Sequence, residues 1–257
     1  MGHAQTFKIA EARARDRDGK LIFRLEDLDP NRCKQKFKNA AIEDLKSIGI
    51  QWDLRPEQKN PLKPYEQSKR YPLYQKTFNQ FKKKNLIYPC TLSRKQIDQL
   101  KIRKNKFGES IINREISKKY FNKNTIPNWR LSTTPEREVR FKDIRLGIKS
   151  AKTQRDFGDF VIWNRDNIPA YEFAVVVDDI DMNITEVVRG EDLLDSTFRQ
   201  LLIYKALFIE PPDFYHCPLV VNESGKKLAK SENAISIRKS PEKTRNHLKQ
   251  LNLNAFL

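Results

Sequence analysis

The chain has 257 residues, 38% of them hydrophobic and 15 of them Phe, which is enough for one large domain or for a domain that carries an inserted smaller one. No apolar run approaches the roughly 18 residues of a transmembrane helix, and the N-terminus lacks the apolar centre of a signal peptide. The net charge of +17 favours a polyanionic partner, nucleic acid first, although an AT-rich genome that encodes many Lys residues explains the same excess.

The three cysteines are too widely separated for a disulfide framework or a four-thiolate zinc site. They stand at Cys33, Cys90 and Cys217. Together with the missing export signal, this spacing leads us to expect a cytoplasmic protein.

The first fifth of the chain predicts a helix, a strand and a second helix. Apolar residues recur at helical spacing over residues 4–17, and an apolar run at 21–25 predicts a strand. The Asp-Pro pair at 29–30 is typical of an N-cap and first turn, so we expect a helix from there to Ile48, ended by Gly49. This order indicates half of a parallel α/β unit.

The next part predicts an aromatic helix and then a basic segment. Aromatic residues over 71–81 have helical spacing, and we interpret them as core rather than as platforms for stacked bases. Residues 95–124 hold nine Lys or Arg against three Asp or Glu, a net charge of +6. This segment is either a surface for RNA phosphates or a solvated, lysine-rich insert. Strands are predicted at 129–132 and 139–144.

The central stretch, residues 168–197, has the pattern of a ligand site. The apolar run 173–177 predicts a buried strand that ends in acids, and a second strand over 184–188 leads into Arg189-Gly190. A helix follows over 193–208. In open α/β sheets, ligands bind at the carboxyl ends of the strands. On pattern alone, a core strand pair with an acidic turn explains these residues equally well.

The C-terminal part predicts a last strand over 218–221, a lysine-rich loop and a final helix. The loop reads Lys-Leu-Ala-Lys-Ser over 227–231. The helix begins at Ser240-Pro241, where Ser is a favoured N-cap and Pro a favoured first residue.

The ordered motifs resemble those of a known family. They are RLEDLDP at 24–30, Ala170-Tyr171 with FAVVVDD, VVRGEDLLDST, and the 227–231 loop, which is similar to a KMSKS motif. They resemble the glutamyl branch of the class I aminoacyl-tRNA synthetases, and within it the short glutamyl-queuosine tRNA(Asp) synthetases. The resemblance covers most of the chain.

The resemblance implies an α/β fold, a Rossmann-like catalytic domain with a parallel sheet and an inserted subdomain that binds the tRNA acceptor arm. We expect residues 1–84 and 151–239 to form the two halves of the catalytic domain, with 85–150 as the insert. Residues 240–257 then form a C-terminal helix, and no anticodon-binding domain is expected.

The implied activity is ATP-dependent activation of glutamate, with Mg²⁺, and its transfer by a monomer to queuosine in the anticodon of tRNA(Asp). By resemblance, Glu26 binds the α-amino group of glutamate, and Arg189 with Tyr171 binds a carboxylate, for which a planar guanidinium is well suited.

The implied ATP site combines both ends of the catalytic domain. Gly2 and His3 resemble the end of a HIGH motif and contact ATP, while Lys227 and Lys230 contact ATP and act in catalysis by neutralising charge on the pyrophosphate.

Two departures from the family pattern stand out. The first strand and the first His of the HIGH motif are missing before Met1, so we expect the reading frame to continue upstream. In the insert, Cys90 is kept but Leu92 replaces the second Cys of the zinc motif. We therefore expect no zinc, with Cys90 a relic ligand at most.

Several alternatives stay open. One alternative is that the chain is a catalytic module of a glutamyl-tRNA synthetase, truncated or working in trans. Another is that it is a non-catalytic paralogue that binds tRNA or an amino acid. Two residues also have alternative interpretations. Glu26 is then a strand-end acid that faces water, and Arg189 is the partner of Glu191 or Asp192 in a salt bridge.

Overall fold

The computed structural model describes residues 2–54, 64–105, 108–220, 237–238 and 240–257, which form a mixed α/β fold. Within these residues the helices are α1 (Gly2–Asp16), α2 (Gln35–Ser47), α3 (Tyr71–Lys83), α4 (Arg94–Gln99), α5 (Arg114–Lys119), α6 (Tyr171–Asp181), α7 (Leu194–Leu207) and α8 (Pro241–Lys249). The strands are β1 (Ile87–Cys90), β2 (Asn128–Leu131), β3 (Glu138–Asp143), β4 (Gly147–Lys152), β5 (Phe160–Trp163), β6 (Glu186–Gly190) and β7 (Asp213–Cys217). None of the described helices is long and apolar enough to cross a membrane.

A parallel β6–α7–β7 unit forms one edge of the larger sheet, whose strand order is β4-β3-β7-β6. In its register, Arg189 of β6 stands beside His216 of β7. Strand β3 joins β7 in parallel through Asp143 and Phe214, and β4 forms an antiparallel hairpin with β3. The predicted α/β class with parallel strands is confirmed, and β4 is an addition that the sequence pattern did not indicate.

The smaller sheet, in the order β1-β2-β5, is antiparallel and is covered by α3. Helix α3 is confirmed where the aromatic residues predicted it, and those residues are core. Tyr74 and Phe81 are 0% and 1% exposed, and the Phe78 ring lies 4.7 Å from that of Trp163 and 5.6 Å from that of Trp129. The aromatic cluster therefore joins the sheet to the helix layer.

The strand predicted over 173–177 is wrong, because these residues lie within α6. Residues 173–179 are all buried, so the apolar run continues around the whole helix. A helix that is apolar on every side has no 3.6-residue periodicity to distinguish it from a buried strand.

Two elements near the N-terminus differ from the prediction. Residues 21–25 make only isolated parallel bridges, Ile22 with Leu54 and Leu25 with Glu66, so this segment is extended without forming a continuous strand. Helix α2 begins at Gln35 rather than at Pro30. The reason is that the Asp29 carboxylate accepts a hydrogen bond from the Asn31 N–H at 2.9 Å and so holds a local turn.

The bounds of the last strand and the cap of the last helix also differ from the prediction. The last strand is β7 at 213–217 rather than 218–221, and part of the predicted range lies outside the described residues. Helix α8 begins at Pro241 as predicted, but the Ser240 side chain forms no capping hydrogen bond. Its φ of −152° and ψ of 66° lie away from the usual N-cap geometry.

Helix α1 is fixed to β6 by a buried arginine. Arg13 is 2% exposed, its Nε donates to the Glu186 carboxylate at 2.5 Å, and its guanidinium lies 4.2 Å from the centre of the Tyr215 ring. It also donates to the carbonyl oxygen of Phe256. One side chain thus connects the first helix, the parallel sheet and the C-terminal segment.

We predict that Arg13→Met lowers the free energy of unfolding by about 2 to 3 kcal/mol, because it removes one of the two arginines that pair with Glu186, together with the donor to the Phe256 carbonyl. Arg15→Met on the same helix is the control. Arg15 pairs with Asp53 in an exposed bridge, whose loss costs at most about 1 kcal/mol. Urea unfolding of both variants measures the difference, and equal losses would contradict this account of Arg13.

Candidate active site

The three predicted glutamate-binding residues come together at the carboxyl end of β6. Arg189 lies near the end of this strand, and Tyr171 is the first residue of α6. The Tyr171 hydroxyl interacts electrostatically with both Glu26 and Arg189, and burial raises the pKa of Tyr171. The site therefore joins the extended segment near residue 25, the N-terminus of α6 and the parallel sheet.

Arg189 is a buried cation whose hydrogen-bond partners are neutral. It is 7% exposed, its Nη2 donates to Thr197 Oγ1 at 2.6 Å, and its Nε donates to His216 Nε2 at 3.3 Å. Burial lowers its pKa. Among the described residues it forms no ion pair with a carboxylate, and Glu191 pairs with Arg145 instead. The structure thus does not support the salt-bridge alternative, and the guanidinium is suited to an anionic ligand.

Glu26 is the carboxylate at the open side of this group, with its side chain 42% exposed. Burial by the surrounding protein nevertheless raises its pKa. Its contact with Arg24 is long, 3.4 Å, since Arg24 donates more closely to Asp179 at 2.7 Å. Glu26 is therefore held near Tyr171 without a tight partner, an arrangement suited to an ammonium group.

Sequence reasoning missed Arg24. A signal was present, because side chains two residues apart on an extended segment point to the same side, and Arg24 stands two residues before Glu26.

Asp178 and Asp179, in the last turn of α6, connect this helix to the neighbouring elements of the site. Fully buried Asp178 accepts hydrogen bonds from Arg70 Nε at 2.6 Å and Tyr74 Oη at 2.8 Å, both on α3 or its N-cap. Asp179 accepts from Arg24, and burial raises its pKa. These contacts join α6 to side chains of neighbouring elements.

The predicted ATP-binding residues are described only in part. A Cβ added at Gly2 would lie 4.0 Å from Val220 Cγ2. The N-terminus of α1 therefore lies beside Val220, the last described residue before the lysine loop. The first turn of α1 carries no acid, and His3 is exposed. Such a helix N-terminus favours anions. Lys227 and Lys230 lie outside the described residues.

Cys90 packs as a core residue. It is 0% exposed and lies in an apolar cluster with Tyr88, Leu92, Ile97 and Ile112. In the part of the chain that the structure describes, no three His, Cys, Asp or Glu side chains gather as a metal site would require. The absence of zinc stays a prediction, and the described residues offer no carboxylate cluster for Mg²⁺.

The whole chain, residues 1–257, matches the family model described as tRNA synthetases class I (E and Q), catalytic domain. The chain belongs to this family. The predicted resemblance to the glutamyl branch is confirmed at that level.

Individual relatives agree. The chain is 34% identical to glutamate–tRNA ligase 2 of Syntrophus aciditrophicus over 95% of its own length and 51% of that protein. It is also 34% identical to the glutamyl-Q tRNA(Asp) synthetase of Nitratidesulfovibrio vulgaris, over 93% of the chain and 76% of that protein. The fold matches a glutamate tRNA ligase from Elizabethkingia meningosepticum, crystallised with its amino acid, at a TM-score of 0.74 and 26% identity, over 93% and 49% of the two chains. The chain thus spans about half the length of the glutamate–tRNA ligases it matches.

We predict that Glu26→Gln raises the melting temperature at pH 7. Because the fold raises the pKa of Glu26, ionising this carboxyl costs the folded state more than the unfolded state at any pH above the raised pKa. Below the ordinary pKa of about 4.3 the carboxyl is protonated in both states, and the gain disappears.

Asp27→Asn is the matched control, with the opposite sign. Burial alone would raise the pKa of Asp27, but hydrogen bonds from Lys38 and Ser68 hold it below its ordinary value. Its charge therefore stabilises the fold above pH 4, and the stabilisation is lost as the pH falls through the lowered pKa. Thermal unfolding from pH 3 to pH 8 tests both signs, and a lower melting temperature of Glu26→Gln at pH 7 would contradict this account.

Proposed function

We propose that this protein activates glutamate with ATP and transfers the glutamyl group to queuosine in the anticodon of tRNA(Asp). The observation that carries the proposal is Arg189, a buried guanidinium with neutral partners at the carboxyl end of a parallel strand. A buried cation is costly unless it is paired, and a substrate carboxylate supplies the missing charge.

Glutamate binds between the two charged ends of the site. Its γ-carboxylate pairs with Arg189 and accepts a hydrogen bond from the Tyr171 hydroxyl, while its ammonium group meets Glu26. Glutamine is rejected because its neutral amide leaves the buried Arg189 guanidinium without a direct anionic partner.

ATP binds against the N-terminus of α1, where Gly2 and His3 lie. The α-carboxylate of glutamate then attacks the α-phosphate of ATP. Lys227 and Lys230 neutralise the charge that develops on the departing pyrophosphate. Positioning and charge neutralisation carry this chemistry, so no protein nucleophile is needed. Family members commonly use Mg²⁺ with ATP, but the described residues present no site for the ion, and no step is assigned to it.

Queuosine is proposed as the acceptor from the similarity to a glutamyl-Q tRNA(Asp) synthetase. The chain covers 76% of that relative but about half of the glutamate–tRNA ligases. The basic segment over 95–124 offers charge for contacts with RNA phosphates. The second candidate is transfer to the 3′ end of a tRNA, which similarity to the glutamate–tRNA ligases supports.

Glutamate-dependent ATP–pyrophosphate exchange tests the activation step. We predict exchange with glutamate and not with glutamine, and a fall in kcat/KM on the order of 100-fold for Arg189→Lys, because Lys keeps the charge but loses the planar fork. Arg155→Lys is the control, since Arg155 forms an exposed pair with Asp156. A wild-type protein that shows no exchange, with or without tRNA, would contradict the proposal and favour a binding paralogue.

The acceptor is tested with labelled glutamate and tRNA(Asp) that contains or lacks queuosine. Nuclease fragments then locate the label. Label in the anticodon fragment of the queuosine-containing tRNA alone is the expected result, whereas label at the 3′ terminus would establish the second candidate.

A further inference from the structure

A chain of buried hydrogen bonds leads away from Arg189 into the core. His216 and Asp143 are both 0% exposed, and His216 Nδ1 lies 2.6 Å from Asp143 Oδ2. On the other side of the ring, His216 Nε2 lies 3.3 Å from Arg189 Nε and 3.0 Å from Thr197 Oγ1. Thr197, also 0% exposed, accepts from Arg189 Nη2 at 2.6 Å. Residues of β3, β7, β6 and α7 thus form one connected hydrogen-bond network.

The partners of Asp143 determine the tautomer of the histidine. Its Oδ2 accepts from the backbone N–H of His216 at 3.1 Å, and its Oδ1 accepts from the backbone N–H groups of Arg145 and Leu146. The carboxylate is therefore fixed as an acceptor, so His216 Nδ1 carries the proton that it donates. His216 Nε2 is then the unprotonated nitrogen, and it accepts from Arg189 Nε.

We propose that His216 and Thr197 are positioning residues that orient Arg189 toward the substrate carboxylate. This inference rests on the proposed function. Together they occupy Nε and one hydrogen of Nη2, so the two hydrogens of Nη1 and the second hydrogen of Nη2 remain for the Tyr171 hydroxyl and the γ-carboxylate of glutamate. The register pairing of Arg189 with His216 makes the orientation a property of the parallel sheet.

Neutral partners are essential to this arrangement. A carboxylate in the place of His216 Nε2 would neutralise Arg189 and compete with the substrate, and an imidazolium would repel it. Asp143 instead supplies its negative charge from the far side of the His216 ring, where it does not accept a hydrogen bond from the Arg189 guanidinium. Burial lowers the pKa of His216, and the charge of Arg189 acts in the same direction, against the attraction of Asp143 and Glu191.

Thr197→Val tests the first contact, because Val keeps the shape and removes the hydroxyl. We expect calorimetry to show glutamate binding about tenfold weaker, with the KM for ATP unchanged. Thr244→Val is the matched control. Thr244 is also 0% exposed, and its hydroxyl oxygen lies 3.0 Å from the carbonyl oxygen four residues earlier, as that of Thr197 lies 3.3 Å from its own. Similar melting temperatures with different glutamate affinities would separate positioning from folding.

His216→Gln and His216→Leu test the second contact. The Gln carbonyl oxygen replaces the Nε2 acceptor, so affinity should stay within about threefold of wild type, whereas Leu supplies no acceptor and should weaken binding by about tenfold or more. Glutamate affinities of Thr197→Val and His216→Leu equal to that of wild type would overturn this inference alone. A wild-type protein that binds no glutamate would overturn the proposed function as well.

The tautomer is measured without any ligand. The chain contains three histidines, so comparison with His216→Gln assigns the ring nitrogens in a long-range ¹H–¹⁵N spectrum. A neutral ring protonated at Nδ1 is expected at pH 7. A ring protonated at Nε2, or at both nitrogens, would overturn the inference whatever the activity of the enzyme.

Discussion

A buried guanidinium that has no carboxylate partner among the described residues is the constraint on which the site depends. Arg189 stays charged in the core only if neighbouring groups accept its hydrogen bonds and if negative charge is available. Neighbouring elements of the parallel unit meet this requirement, since β7 and α7 each supply one acceptor and β3 supplies the carboxylate behind them. The strand order β3-β7-β6 places these groups in line. The topology of the sheet therefore determines which atoms of Arg189 face the ligand.

A second buried charge network keeps the other half of the site in place. Asp178 and Asp179 at the end of α6 bind Arg70 and Arg24, which fixes the helix against α3 and against the extended segment near residue 25. Tyr171 begins the same helix, and Glu26 follows Arg24 on the same side of the segment. The acids thus help to position both polar residues. This explains why two consecutive carboxylates follow the apolar run of the helix.

Sequence reasoning predicted the residues of this site better than the elements that carry them. Arg189, Tyr171 and Glu26 were predicted because they belong to ordered motifs, and the structure brings the three together. The element that carries Tyr171 was mistaken for a strand, because a fully buried helix and a fully buried strand share the same apolar run. Asp143, Thr197 and His216 were missed for a different reason. Each is a single polar residue in a strand or helix, and its role depends on contacts between elements that no local pattern encodes.

A crystal structure of the protein with L-glutamate tests the central claim most directly. We predict that a glutamate carboxylate lies within hydrogen-bonding distance of Arg189 Nη1 and the Tyr171 hydroxyl, that the ammonium group faces Glu26, and that Arg189 keeps its bonds to Thr197 and His216. Glutamate bound elsewhere, or an Arg189 that turns to pair with Glu191 or Asp192, would contradict the account.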